Sequence, residues 1–252
     1  MKMDKIKILT RIISEEMTAL EYIGFCKGLL ADLMAISPDF KNLSVWDDET
    51  DKVFYLQDDL SDFDERNFYR IIHEDKELAY KNTDSTNKDL SLCSKSWAGF
   101  HSLFFFADTK GTGVSDIKIS LTQGSCEPND ICVINIEFSD VYQSKLTKEF
   151  IEAIISVLAK HCKLIYAAAI SNEFRSKVAK KGQDLWIGWL TYINRIEISD
   201  LLPANIEQKP LKDGVLFSLS SECVESTDEA LVQTAIEIRD VLGEKGLLNY
   251  PI

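Results

Sequence analysis

Positive charge is in short supply in this chain: 28 Lys and Arg stand against 41 Asp and Glu, for a formal net charge of −13 and a pI near 4.7. Such a surface repels phosphate backbones and anionic headgroups, so direct binding to nucleic acid or membrane is disfavoured and a basic partner is attracted. Histidine is scarcer still. His73, His101 and His161 lie far apart without metal-ligand spacing, and Cys126 and Cys132 have neither C-x-x-C spacing nor histidines beside them, so no metal is expected. No run approaches the roughly 18 apolar residues of a membrane span. The basic start, Met1 to Arg11, is followed by no apolar core of signal-peptide length. A cytoplasmic protein is therefore expected, with Cys26, Cys93, Cys126, Cys132, Cys162 and Cys223 as mostly buried thiols.

Motifs that carry chemistry are missing as well. There is no G-x-S-x-G. Gly111 and Gly113 lack the third glycine of a phosphate-cradling loop and lead into a strand-like segment, and the Lys110-Gly111 and Lys181-Gly182 pairs lack P-loop spacing. Neither a cofactor nor a catalytic residue is expected.

What is present is a large apolar fraction, 45% of 252 residues, enough for a sizeable core. The stretch with most to bury is Leu185 to Ile193, where Trp186, Trp189 and Tyr192 sit among aliphatic residues. Read at period two, both of its faces are apolar, which predicts a central strand, with Gly188 marking a bulge or a close backbone approach. Lys5 to Ile13 alternates like an edge strand guarded by lysines. Glu15 to Ile36 carries a helical stripe that must end before Ser37-Pro38. Trp97 to Ala107, Val114 to Thr122 and Ile131 to Phe138 read as three strands of an antiparallel meander. Lys145 to Cys162 is the clearest helix, and His161 near its end suits the helix dipole. Lys163 to Ile170 reads as a buried strand, residues 175–181 as a basic loop, Ile198 to Leu202 as a helical turn and Gly214 to Leu219 as a strand. Asp228 to Leu242 reads as a closing helix capped by Thr227 and stopped at Gly243. The fold class is α+β, a mixed or antiparallel sheet covered by helices. One domain over 1–252 is expected, and two fused sub-domains meeting near 139–145 stay open.

The strongest charge run is acidic and begins after Trp46: Asp47, Asp48, Glu49, Asp51, Asp58, Asp59, Asp62, Asp64 and Glu65, relieved only by Lys52. It holds a short strand at Val53 to Leu56, and a helix is expected from about Asp62 to Leu78; Lys81 to Lys95 reads as a polar loop. The run lacks the glycine and final glutamate of an EF-hand. So many carboxylates together argue against a general acid, which needs an apolar pocket. They form either a solvated face or a face for a partner, and Trp46, Asp47, Asp48, Glu49, Asp51, Tyr55, Asp58, Asp59 and Asp62 are the candidate partner-binding residues. The acidic segment from Glu222 to Asp240 is the other candidate surface.

The order of short features is informative: Ile36 to Phe40, Trp46, Gly188-Trp189-Leu190-Thr191-Tyr192, Leu201-Leu202-Pro203, Lys212 to Phe217 and Gly246-Leu247-Leu248. In that order the chain resembles the immunity protein 52 family of bacterial polymorphic toxin systems. A set of type VI secretion immunity proteins carries a similar glycine-tryptophan pattern. The resemblance implies a non-catalytic protein that binds a cognate toxin effector domain, typically a nuclease of the restriction-endonuclease fold, and it supplies no catalytic residues. Pro38, Phe40, Trp46, Gly188, Trp189, Thr191, Tyr192 and Gly214, the residues that carry it, read as core and turn positions. The competing reading is an enzyme or small-ligand domain whose site is assembled from residues distant in sequence.

Overall fold

A computed structural model describes residues 5–47, 50–72, 92–93, 97–107, 115–125, 127 and 130–250. The elements in chain order are β1 (Lys7–Ile13), α1 (Ala19–Ile36), β2 (Ser44–Asp47), β3 (Lys52–Tyr55), a 3-10 turn (Glu65–Asn67), α2 (Phe68–Ile71), β4 (Phe100–Phe106), β5 (Ile117–Gln123), β6 (Ile131–Cys132), β7 (Ile134–Phe138), α3 (Asp140–Gln143), α4 (Lys148–His161), β8 (Lys163–Ile170), α5 (Asn172–Val178), β9 (Leu190–Ile193), a 3-10 segment (Ile196–Leu201), β10 (Glu207–Leu211), β11 (Gly214–Ser218) and α6 (Glu229–Glu244). The fold is α+β. No helix among the described residues is long and apolar enough to cross a membrane. The chain divides into two compact units: one comprises residues 1–11, 140–160 and 164–252, the other 12–139 and 161–163.

In the first unit the strands run in the order β10-β11-β9-β8-β1, with the β10/β11, β11/β9 and β9/β8 pairs antiparallel. β8 and β9 are apolar and almost wholly buried, as strands covered on both faces should be. The face of α4 carrying Ile151, Ile154, Ile155 and Leu158 is buried, as is that of α6 carrying Val232, Ala235, Ile238 and Leu242. These are the three- and four-residue spacings of an amphipathic helix.

The Leu185 to Ile193 stretch is shorter as a strand than its pattern suggests, because side chains take over its backbone before β9 begins. The Tyr166 hydroxyl accepts from the Trp186 N–H (3.2 Å) and donates to the Trp186 carbonyl (2.7 Å), and the Gly188 N–H goes to Thr191 Oγ1. Gly188 does mark a close approach. A Cβ there would lie 2.5 Å from the Ala169 carbonyl oxygen. Three further expectations are corrected. β1 is no edge, since it pairs with β8 and, through Ile12 and Ile13, with β6. The first part of the basic loop, through Val178, is helix α5, whose Ser171 hydroxyl accepts from the Phe174 N–H and which buries Phe174 and Val178. The cap of α6 is Asp228 rather than Thr227, and its end lies past Gly243, where Gly246 takes a φ of 69°.

The second unit has the strand order β7-β5-β4-β2-β3, antiparallel throughout, with β4, β5 and β7 forming the expected meander. β4 and β5 alternate buried and half-buried residues along their length. α1 starts later than its stripe suggests, at a capping box in which Thr18 and Glu21 satisfy each other's backbone amides. Its buried Tyr22 stacks on Phe100 at 4.5 Å and donates to Ser102 Oγ, while Phe100 in turn meets Phe68 and Trp97. Each such side chain removed from water contributes about 1.5–3 kcal/mol. Cys26, Cys132 and Cys162 are buried, whereas Cys93 and Cys223 are exposed. The helix expected from Asp62 begins only at the 3-10 turn and α2, and its continuation beyond residue 72 lies outside the described residues, as do His73, Cys126, the Lys110 to Gly113 turn and most of the Lys81 to Lys95 loop.

Candidate functional site

The acidic run builds a hairpin at the end of the second unit's strand order. In β2 and β3, Ser44 lies opposite Tyr55, Val45 opposite Phe54, Trp46 opposite Val53 and Asp47 opposite Lys52. Asp51 enters β3 with a φ of 54°, a left-handed conformation that aspartate tolerates. Asp48 and Glu49 lie outside the described residues.

Residues directly opposite one another share a face, and faces alternate along a strand. Ser44, Trp46, Val53 and Tyr55 therefore lie on one face, and Val45, Asp47, Lys52 and Phe54 on the other. On the first face Trp46 is 38% exposed, Val53 44% and Tyr55 62%. Trp46 is thus not the core residue its place in the sequence pattern suggested; Phe40, Trp189, Thr191 and Tyr192 are buried as expected. Val53 was not among the expected site residues, although its alternation with Tyr55 carried the signal.

The other face turns inward. Asp47 is only 4% exposed, and its carboxylate accepts from Arg70 Nε at 2.9 Å. The Arg70 guanidinium also lies 4.6 Å over the Phe54 ring and donates to Asn67 Oδ1. Asp47 consequently does not share a face with Trp46, and its charge is answered from α2. Sequence alone gave no sign of Arg70, which is brought in by the fold from 23 positions away.

Beyond β3 the carboxylates hold the loop together. Asp62 Oδ1 accepts from the Gln57 N–H (2.9 Å), Asp59 Oδ1 from the Ser61 N–H (2.9 Å) and Asp58 Oδ1 from the Asn42 N–H (3.3 Å). Asp51, Asp58 and Asp59 are exposed, and Asp62 is half-buried. The hydroxyl and amide of Ser61 hold the Asp59 carboxyl below its ordinary pKa, and the Arg66 guanidinium does the same for Asp64. A depressed value means that whatever these bonds contribute is present above the ordinary carboxylate pKa and is lost as pH falls through the folded value. Side-chain carbon NMR is expected to give both residues midpoints below the ordinary aspartate value. Midpoints at or above that value would show that the loop bonds do not persist in solution.

The second acidic surface is differently spent. Asp240 pairs with Lys180 and Arg239, Asp228 caps α6, and Val241 is the exposed large apolar residue of that helix. The hairpin bears three exposed apolar side chains, with the exposed Asp51 at the entry to β3 and the exposed Asp58 and Asp59 in the loop that follows it. Of the histidines, His101 hydrogen-bonds Ser120, and His161, at the end of α4, meets Asp32 of α1 at 2.7 Å, a carboxylate partner the dipole reading did not anticipate.

Comparison with known proteins adds three findings. The model of a family described as Immunity protein 52 matches residues 79–250, a span that begins after the hairpin. No curated protein sequence matches. A solved structure titled as a T6SS protein of Pseudomonas aeruginosa is similar in fold, with a TM-score of 0.56 at 10% identity over 98% of this chain and 76% of that one.

Proposed function

Because the chain belongs to the Immunity protein 52 family, we propose that it binds a cognate antibacterial toxin domain and neutralises it in a stoichiometric protein complex, catalysing nothing itself. The family resemblance makes a nuclease of the restriction-endonuclease fold the expected toxin, acting in the cytoplasm and belonging to a polymorphic or type VI secretion system. A nuclease presents cationic groups to a phosphate backbone, and an acidic protein can occupy that site as a polyanion would. The hairpin carries this reading: Trp46, Val53 and Tyr55 are exposed together, with Asp51, Asp58 and Asp59 exposed around them in sequence. Aromatic anchors inside a charged surround suit a protein interface, the anchors supplying affinity and the charge supplying steering.

The deciding variant replaces Asp51, Asp58, Asp59 and Asp62 with asparagine, which keeps an acceptor oxygen for the loop amides and removes the charge. Association with the cognate toxin domain is expected to slow by about 10-fold or more, with a flatter salt dependence. An unchanged rate and salt dependence would take the hairpin out of the interface. Should the native chain fail to rescue cells expressing that toxin, the function itself is lost.

A further inference from the structure

We propose that β3 is extended by the toxin: a stretched, basic segment of the toxin adds to Lys52–Tyr55 as the next strand. The inference rests on the toxin-binding reading above and specifies how the contact is made.

The hydrogen-bond pattern of the hairpin fixes which groups are on offer. The Leu56 N–H donates to the Leu43 carbonyl at 2.8 Å, which makes 43 and 56 a bonded pair. Bonded and non-bonded pairs alternate in an antiparallel ladder, so Val45 with Phe54 and Asp47 with Lys52 are bonded, whereas Ser44 with Tyr55 and Trp46 with Val53 are not. The pairing of Ser44 with Phe105 of β4, on the far side of β2, agrees with this phase. Val53 and Tyr55 therefore aim their backbone N–H and C=O groups away from β2. Among the described residues no strand pairs with that side of β3. The same two residues carry exposed β-forming side chains, so backbone bonding and side-chain contact are offered together.

The other outer strand shows what a guarded edge looks like. β10, Glu-Gln-Lys-Pro-Leu, contains Pro210, which has no N–H to offer, and ion-pairs both Glu207 and Lys209 with residues of α4. β3 has no proline, and its only lysine stands at the first position. Charge selects the occupant. Asp51 precedes the strand and Asp58 and Asp59 follow it, all exposed, so an added strand bearing lysine or arginine is attracted, whereas a second copy of this chain would bring like charges together.

The test uses Val53→Pro and Val53→Ala in the full-length chain, with the polypeptide encoded by the adjoining reading frame as the probe. Proline is tolerated where the strand N–H faces outward, so the β2/β3 ladder survives, and both variants are first matched to the native chain by thermal melting. Val53→Pro is expected to weaken binding by about tenfold or more beyond Val53→Ala, because the partner loses a donor that alanine still supplies. In the native complex the Val53 and Tyr55 amides should exchange hydrogen more slowly than in the free chain. Equal affinities for the two variants, or unprotected amides in a complex that still forms, would overturn strand addition and leave the toxin-binding reading standing. No complex with the native chain would end both. Self-association abolished by Val53→Pro, with toxin binding intact, would assign the edge to a second copy and overturn the proposal.

Discussion

Truncating Trp189 to alanine is expected to cost about 3–5 kcal/mol of folding stability, read as a lowered urea midpoint. The side chain is 1% exposed, and its indole N–H donates to the Ser220 carbonyl at 3.0 Å. Its backbone is tied on both sides, the N–H to the Ala169 carbonyl and the carbonyl to the Leu219 N–H. Those ties hold residue 189 in place, so the surroundings cannot collapse into the space an alanine leaves. The variant therefore loses the buried area, keeps a cavity, and leaves the Ser220 carbonyl without its donor. Trp189→Phe retains most of the volume and should cost only about 1–3 kcal/mol, the share of the missing hydrogen bond and a smaller void. Equal losses for the two variants, or a loss below about 1 kcal/mol for alanine, would show that this side chain does not anchor the strand.

The second large effect is expected from adding one methyl group. A Cβ on Gly214 would stand 2.2 Å from the Ile193 carbonyl oxygen, 2.7 Å from the Asn194 Cα and 2.9 Å from the Ile193 carbonyl carbon. All three are backbone atoms of the end of β9 and its exit, and Val215 is paired with Ile193. Relief requires β11 to move off β9 rather than a rotamer to change. Gly214→Ala should cost about 3 kcal/mol or more, at the upper end of overpacking penalties. Gly24 provides the control, because it lies in α1 with no atom within 4 Å of where a Cβ would sit. Alanine there should stabilise the chain by up to about 1 kcal/mol. If both variants melt alike, the contact at Gly214 is not the close one described.

Much of this architecture could be read from residue order, and the failures share a cause. β8, α4 and the β4-β5-β7 meander announce themselves because burial on one or two faces imposes a period on neighbouring residues. β10 imposes none: four of its five residues are exposed and the fifth is half-buried, so nothing in Glu207 to Leu211 distinguishes it from a loop. α5 reads as a basic loop because Arg175 and Lys177 outweigh the Phe174 and Val178 pair behind a serine cap. At Trp186 and Gly188 the apolar alternation is real, but the hydroxyls of Tyr166 and Thr191 hold the backbone instead of a neighbouring strand. The hairpin was legible as an acidic surface and illegible as a set of roles. Asp47 is turned inward by Arg70, while Val53 gains its importance from a register that only pairing defines.

The aspartates after β3 have a further consequence. Asp58, Asp59 and Asp62 each grip a main-chain amide of their own neighbourhood, so their freedom is surrendered when the chain folds rather than when a partner arrives. A stiff template of fixed negative points loses little entropy on docking and rewards one spacing of cations over all others. It also adapts poorly. On the toxin-binding reading proposed above, a toxin whose cations shift by a few ångströms calls for a different protector, and an arsenal of such toxins for a matching repertoire of protectors.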